Sequence, residues 1–485
     1  MLFNSYEFIF VFLPLSFFIY FFLNKRSLYR EAKLFLVAAS LFFYSWWNIV
    51  YLPLIIVSML FNYMIGTTLS KDKKIIFSKK EILIFGIVIN VLLLGYFKYY
   101  DFFIENVNFI TGANFSLLHL ALPLAISFFT FQQIAYLVDS YKGETKEYNF
   151  LNYAVFVTFF PQLIAGPIVH HKEMMPQFDD DGNKRTDYKN IALGITIFAL
   201  GLFKKVAIAD TLSVYAINGF DHAAELKLIE AWVTSFAYTF QLYFDFSGYT
   251  DMAIGAALIF NIKLPANFNS PYKAKDIQDF WRRWHMTLSR FLRDYIYIPL
   301  GGSKNGELNT YKNLFATFLI GGIWHGAGWT FIIWGAMHGV AMIIHRVWQK
   351  IGFRLNSFIA WFVTFNFINF TWIFFRAKDF DSAVKVITGM FGLNGVVLPY
   401  SIGERFSFLS EFGIQFNRIM KDINANNELL LILFVIGIIS FFGKNSFEWV
   451  SSFKPKRVNL IAVSFLFSLA ILKLNQISEF LYFNF

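Results

Sequence analysis

Two histidines stand where an imidazole has chemistry to do. His325 lies in Gly-Gly-Ile-Trp-His-Gly, inside an apolar stretch that reads as membrane-buried. His285 lies 40 positions earlier, in Phe-Trp-Arg-Arg-Trp-His. An imidazole titrates near neutral pH and can take or give a proton. Ionisable groups at membrane depth are costly and tend to be retained for a task. A hydrogen bond to a neighbouring helix is the other role open to such a residue. For His338, four positions after Trp334, it is the expected one.

The block around His285 runs from Asp279 to Tyr297. On one continuous helix, Trp281, Trp284, His285 and Leu288 would share a face by i, i+3, i+4 spacing. Arg282, Arg283, Arg290 and Arg293 would cluster around it. Guanidinium forks bind phosphates bidentately, so the arginines, with Trp281 and Trp284, are candidates to hold a phosphate-bearing donor such as a coenzyme A ester. The same composition suits an interfacial helix against lipid headgroups, and both readings can hold together.

Gln241-Leu-Tyr-Phe-Asp245-Phe-Ser247-Gly-Tyr249-Thr-Asp251 places carboxylates and hydroxyls in an apolar context. A polar tunnel wall and a buried network tying helices together both fit. Phe160-Pro-Gln-Leu-Ile-Ala-Gly-Pro167-Ile-Val-His170-His171 must break a helix, which a membrane protein tolerates only against protein or a cavity. Adjacent histidines point to different sides of a helix, and no Cys, Asp or Glu stands nearby at ligand spacing, so no metal is expected. Nucleophile-elbow, P-loop, dinucleotide and zinc-protease signatures are missing.

The elements that must position these groups are membrane helices. Of 485 residues, 57% are hydrophobic and 21% aromatic, against about 45–50% apolar in a soluble chain. The apolar runs predict an all-α polytopic membrane protein of about ten to twelve spans, with re-entrant and interfacial helices. The net charge of +10 comes from short Lys/Arg clusters between the runs, not from a nucleic-acid-binding face. Lys25, Arg26, Arg30 and Lys33, then Lys71, Lys73, Lys74, Lys79 and Lys80, belong in the cytoplasm and put the N-terminus outside. The first apolar run has no cleavage-site pattern and reads as a retained helix. With no cysteine, disulfides and thiolate chemistry are excluded. One membrane domain over residues 1–485 is expected. Its 263–311 stretch would form interfacial or funnel helices, and 376–427 a polar amphipathic segment.

Together these blocks resemble the membrane-bound O-acyltransferase (MBOAT) family, and within it the bacterial branch that serves alginate and other polysaccharide O-acetylation. The resemblance also rests on Leu122-Pro-Leu-Ala-Ile-Ser127-Phe-Phe-Thr-Phe131-Gln, on Asp245-Phe-Ser-Gly-Tyr249, and on the closing residues 480–485. His170 departs from the pattern, since Arg is expected after Gly-Pro-Ile-Val. The resemblance implies a helical bundle around a tunnel, with His325 as the core catalytic residue and His285 facing the same space. Trp324, Asp245, Ser247, Tyr249 and Asn269 are then expected tunnel residues. It implies acetyl-CoA as donor substrate, no permanently bound cofactor and no metal. It also implies an extracytoplasmic SGNH-hydrolase-like partner, a polysaccharide acceptor such as alginate or peptidoglycan, and residence in the bacterial inner membrane among lipid. His325 would act as general base on an acceptor hydroxyl or carry the acetyl transiently. D-alanyl transfer to teichoic acid and a non-enzymatic transporter are the alternatives.

Overall fold

The computed structural model describes residues 1–71, 76–451, 456–475 and 481. Lys73 and Lys74 of the second basic cluster, and the closing 480–485 motif except Leu481, lie outside the described residues.

The chain is helical almost throughout. A π-turn leads into α1 (Leu13–Lys25), and α2 (Tyr29–Ser45) and α3 (Leu52–Ser70) follow as antiparallel neighbours. A capping box between Ser78 and Glu81 starts α4 (Lys79–Leu94). This helix passes through a π-turn at Gly95–Tyr99 into α5 (Tyr100–Thr111). The buried α6 (Ile126–Tyr141) precedes α7 (Phe150–Thr158), α8 (Phe160–Leu163) and α9 (His171–Asp179). The Asp187 side chain caps α10 (Tyr188–Phe203), which is joined by a π-turn to α11 (Asp210–Ile217). The longest helix is α12 (Leu228–Ile259), 32 residues and buried over nearly its whole length. After the short α13 (Ile277–Trp281) and α14 (Met286–Leu292) come α15 (Glu307–His325), α16 (Trp329–Ile351) and α17 (Ser357–Arg376).

In the 376–427 region, α18 (Phe380–Met390) packs its apolar side on α12, and two three-residue strands, β1 (Val397–Pro399) and β2 (Gln415–Asn417), pair in parallel. The chain continues through α19 (Glu428–Phe442), α20 (Ser446–Ser451) and α21 (Arg457–Lys473).

Among the described residues, six helices are long and apolar enough to cross a membrane: Phe8–Lys25, Ile49–Ser70, Lys79–Thr111, Tyr188–His222, Trp329–Ile351 and Ser357–Arg376. The other apolar runs form helices such as α2, α19 and α21 that are shorter, or α12 and α15 that carry more polar residues. The basic clusters share one end of the bundle. Lys33 at the start of α2 reaches Asp179 of α9, and Lys184 lies over the Tyr29 ring. Lys350 and Arg346 at the end of α16 pair with Glu307 at the start of α15.

Small residues set the helix crossings. A Cβ on Gly248 of α12 would sit 2.7 Å from the Gly201 carbonyl of α10, and one on Gly255 would sit 2.5 Å from that of Gly194. Seven-residue spacing on both helices brings the two backbones into contact, as small residues do in lipid. The α15–α16 pair crosses at Gly322 and Gly335 in the same way. Gly248→Val is expected to destabilise the protein by about 1–3 kcal/mol. Gly95→Ala, whose Cβ would meet nothing within 4 Å, is expected to leave it unchanged. Thermal unfolding in detergent measures both, and equal midpoints for the two variants would contradict the crossing.

Candidate active site

His325 is the last residue of α15, because the backbone turns extended at Gly326 (φ −162°) and the helix cannot continue. The imidazole is buried, 5% exposed, in an aromatic cage. Trp324, Trp334 and Phe375 have ring centroids 4.9, 5.1 and 5.1 Å from it. A helix end leaves carbonyls without intrahelical partners. Here Lys98, from the π-turn between α4 and α5, supplies the donor. Its Nζ lies 2.5 Å from the Trp324 carbonyl, 3.2 Å from that of His325 and 3.2 Å from Ser127 Oγ.

His285 does not share a helical face with Trp281 and Trp284, contrary to the sequence expectation. α13 ends at Trp281, and His285 sits in the left-handed region (φ +43°) before α14 begins. The break has a local cause. The 267–269 segment pairs with the 283–287 turn: Met286 N–H donates to the Asn267 carbonyl and Asn269 N–H to that of Arg283, both at 2.9 Å. A side chain held at positive φ is strained, and such residues concentrate at functional sites. The break tucks the ring inside, 1% exposed, edge-on to Phe246 of α12 at 4.7 Å. It also brings His285 within electrostatic range of His325, as are Lys98 and His338.

The other expected site residues divide into groups. Trp281 donates its indole N–H to His338 Nδ1, and His338 Nε2 meets Thr371 Oγ1, both at 3.2 Å. His338 therefore joins helices, as expected for it. Trp284 is buried among Phe280, Tyr272 and Trp372. Arg283 pairs with Asp279 and Arg290 with Glu173, each at 2.7 Å, while Arg282 is exposed. Arg293 pairs with Asp294. Trp324 stacks on Phe131, which stacks on Phe291, forming a column of rings beside His325.

Asp245 is sealed at 1% exposure against Lys205, 2.5 Å away, and Lys205 also holds Asp210 at 2.7 Å. Ser247 is buried, and Tyr249 stacks on Phe3 at 4.8 Å. Asp245 thus belongs to an ion-pair network joining the π-turn after α10 to α11 and α12, whereas Tyr249 packs against the segment before α1. Asn269 is exposed and accepts from Asn445. Asn267, two residues earlier, is the asparagine that reaches His285, at 3.0 Å.

His170 and His171 diverge as their adjacency predicts, but carboxylates distant in sequence meet them. His170 Nδ1 lies 3.2 Å from Asp139 and 2.9 Å from the Tyr295 hydroxyl; His171 Nε2 lies 3.1 Å from Glu147. Burial works to raise the Glu147 pKa, and the hydrogen bonds from His171 and the Asn149 N–H outweigh it, holding the carboxyl below its usual range. Among the described residues no group of three His, Asp or Glu is placed to hold a metal.

A cavity of about 780 Å³ opens toward the end opposite the basic clusters. Its floor is the Gly326–Gly328 turn that follows His325, and Lys98 and Phe375 stand in its wall. Asp101, Asp221, Arg376 and Lys378 give it a mixed-charge mouth. A second void, about 10 Å³, is lined by Phe128, Gln162 and Gly166 among others. Lys98 escaped sequence reasoning because the two carbonyls it caps are more than 220 residues away and it stands at the end of an apolar run. A lysine directly closing an apolar run, with more apolar and aromatic residues after it, was the available signal.

The pattern of the membrane-bound O-acyltransferase family matches residues 10–377. The chain is 51% identical to a peptidoglycan O-acetyltransferase of Helicobacter pylori, covering 100% of this chain and 98% of that one. It is 42% identical to a probable alginate O-acetylase of Pseudomonas aeruginosa, over 81% of this chain and 75% of that one. It is 30% identical to a teichoic acid D-alanyltransferase of Bacillus subtilis, over 53% and 69%.

The cap on α15 is testable without any activity. Lys98→Met removes the donor from two partly buried carbonyls at the helix end, each such hydrogen bond contributing about 0.5–1.5 kcal/mol. A lower unfolding midpoint is expected, largely restored in Lys98→Arg. A midpoint unmoved by Lys98→Met would show that the ammonium does not hold the helix end.

Proposed function

We propose, from the premise that this chain belongs to the membrane-bound O-acyltransferase family, that it moves an acetyl group from cytosolic acetyl-CoA to an acceptor on the far side of the membrane. It is a multi-pass membrane acyltransferase, and its end product is an O-acetylated cell-envelope polysaccharide. The full-length match to a peptidoglycan O-acetyltransferase favours peptidoglycan over alginate. The D-alanyl alternative rests on about half the chain.

The observation that carries the reading is the position of His325. It is the buried last residue of α15, next to the Gly326–Gly328 turn that lines a cavity opening away from the basic end. The positive-inside rule puts the basic end in the cytosol of a bacterial inner membrane. The donor then approaches from the side of Arg282, Arg283 and Arg290, with Trp281 and Trp284 beneath them. Arg283 and Arg290 exchange their carboxylate partners for donor phosphates, and Arg282 is already exposed. The Trp324 column must shift to admit the thioester. The acceptor enters through the cavity.

His325 takes the proton of the acceptor hydroxyl as its oxygen attacks the thioester carbonyl. The new C–O bond forms, the C–S bond breaks, and the leaving thiolate receives the proton. The nucleophilic alternative, an acetyl-imidazole, needs an additional intermediate. An SGNH-hydrolase-like partner outside passes the acetyl group to the polysaccharide.

General-base catalysis contributes about 10²–10⁴-fold in rate. His325→Ala is therefore expected to reduce base-labile acetate on isolated peptidoglycan to background, when the variant is the sole copy in the cell and reaches the membrane in normal amount. Most of the acetate persisting would remove His325 from the chemistry. Acetate lost from every variant of the chain alike, active-site or not, would point to a scaffold.

A further inference from the structure

His285 is a buried histidine whose tautomer can be read from its neighbours. Asn267, fully buried, presents one amide atom to three groups. The backbone N of Thr287 lies 3.2 Å from it, Thr287 Oγ1 3.0 Å and His285 Nδ1 3.0 Å. A backbone N–H can only donate, so the amide atom is the carbonyl oxygen. The Thr287 hydroxyl is fixed as well. It accepts the N–H of Ile168 at 3.1 Å, so its own proton goes to Asn267. Two of the three partners are thus donors to the same oxygen. The third, His285 Nδ1, must also carry a proton, since a lone pair facing that oxygen would be repelled.

The neutral imidazole has one N–H and one lone pair. With Nδ1 protonated, the lone pair is on Nε2. Among the described residues Nε2 is buried and has no hydrogen-bond partner. A buried polar atom left unsatisfied costs about 1–3 kcal/mol. The left-handed backbone at His285 adds strain at the same residue. The arrangement holds an acceptor ready on the side away from Asn267.

We infer that Asn267, held through Thr287 and the helix break at Ile168, is a positioning residue that locks His285 as its Nδ1–H tautomer, so that Nε2 serves the transfer as a hydrogen-bond acceptor. Polarising the thioester carbonyl would need an N–H at that nitrogen, and Nε2 has none. His285 instead takes a hydrogen bond from a donor in the reacting group, which is the acceptor hydroxyl or the His325 N–H. The inference rests on the acetyl-transfer reading for its catalytic meaning, and not for the tautomer.

Nitrogen-15 NMR of the detergent-solubilised full chain, labelled at histidine, reports the tautomer directly, with His285→Asn assigning the signal. The native protein is expected to show a protonated Nδ1 and an unprotonated Nε2. Asn267→Asp keeps an oxygen acceptor and is expected to keep this pattern and measurable acetylation. Asn267→Leu removes the acceptor and is expected to lose the pattern, with acetylation falling at least 10²-fold. A protonated Nε2 in the native chain would overturn the inference. So would Asn267→Leu with near-native acetylation, or with lost acetylation and an unchanged tautomer. If Asn267→Leu fails to fold, the native spectrum and Asn267→Asp decide. Failure of the reaction reading appears elsewhere, as a His325→Ala protein that still acetylates.

Discussion

A helix that stops inside a protein leaves carbonyl dipoles facing inward, and everything near His325 follows from how this one is answered. α15 ends at the histidine itself, on the apolar side of Trp334 and Phe375. The last carbonyls are answered instead by Lys98 Nζ from another helix. Lys98 can reach them because a π-turn at Gly95–Tyr99 offsets α5 from α4. The glycine crossing of α15 with α16 then fixes the angle at which the helix arrives. The imidazole is thus placed by the backbone that carries it and by the aromatic rings around it.

The same economy of contacts explains the second histidine. A continuous helix through residues 277–292 would present His285 as one member of an aromatic stripe. The pairing of 267–269 with the 283–287 turn interrupts it and turns the ring into the bundle. The Pro-Gly-Pro break at 161–167 supplies Ile168 as the next link, through Thr287 to Asn267. Three sequence blocks far apart in the chain thus meet in one chain of donors and acceptors that ends on a single lone pair.

Much of this was legible in the residues. The class, the membrane setting, His325 in its glycine-rich turn and the bonding role of His338 follow from local composition. The helical face for Trp281, Trp284 and His285 did not hold, because i, i+3, i+4 spacing carries no information about a partner segment that competes for the backbone. Lys98, Asp139 and Glu147 find their partners through the fold, at separations no local pattern reports. By type, Asp245, Ser247 and Tyr249 fit a tunnel wall or, more readily, a buried network. Only the approach of Lys205 from the neighbouring π-turn places Asp245 in the network.

The most direct test of the central claim follows one acetyl group across the membrane. Inside-out vesicles holding the chain and its partner would receive acetyl-labelled acetyl-CoA on the exposed, basic face. The account predicts label on an acceptor enclosed in the lumen with the native chain, and none above background with His325→Ala at equal abundance. Label appearing in the lumen at comparable rates with both proteins would contradict it.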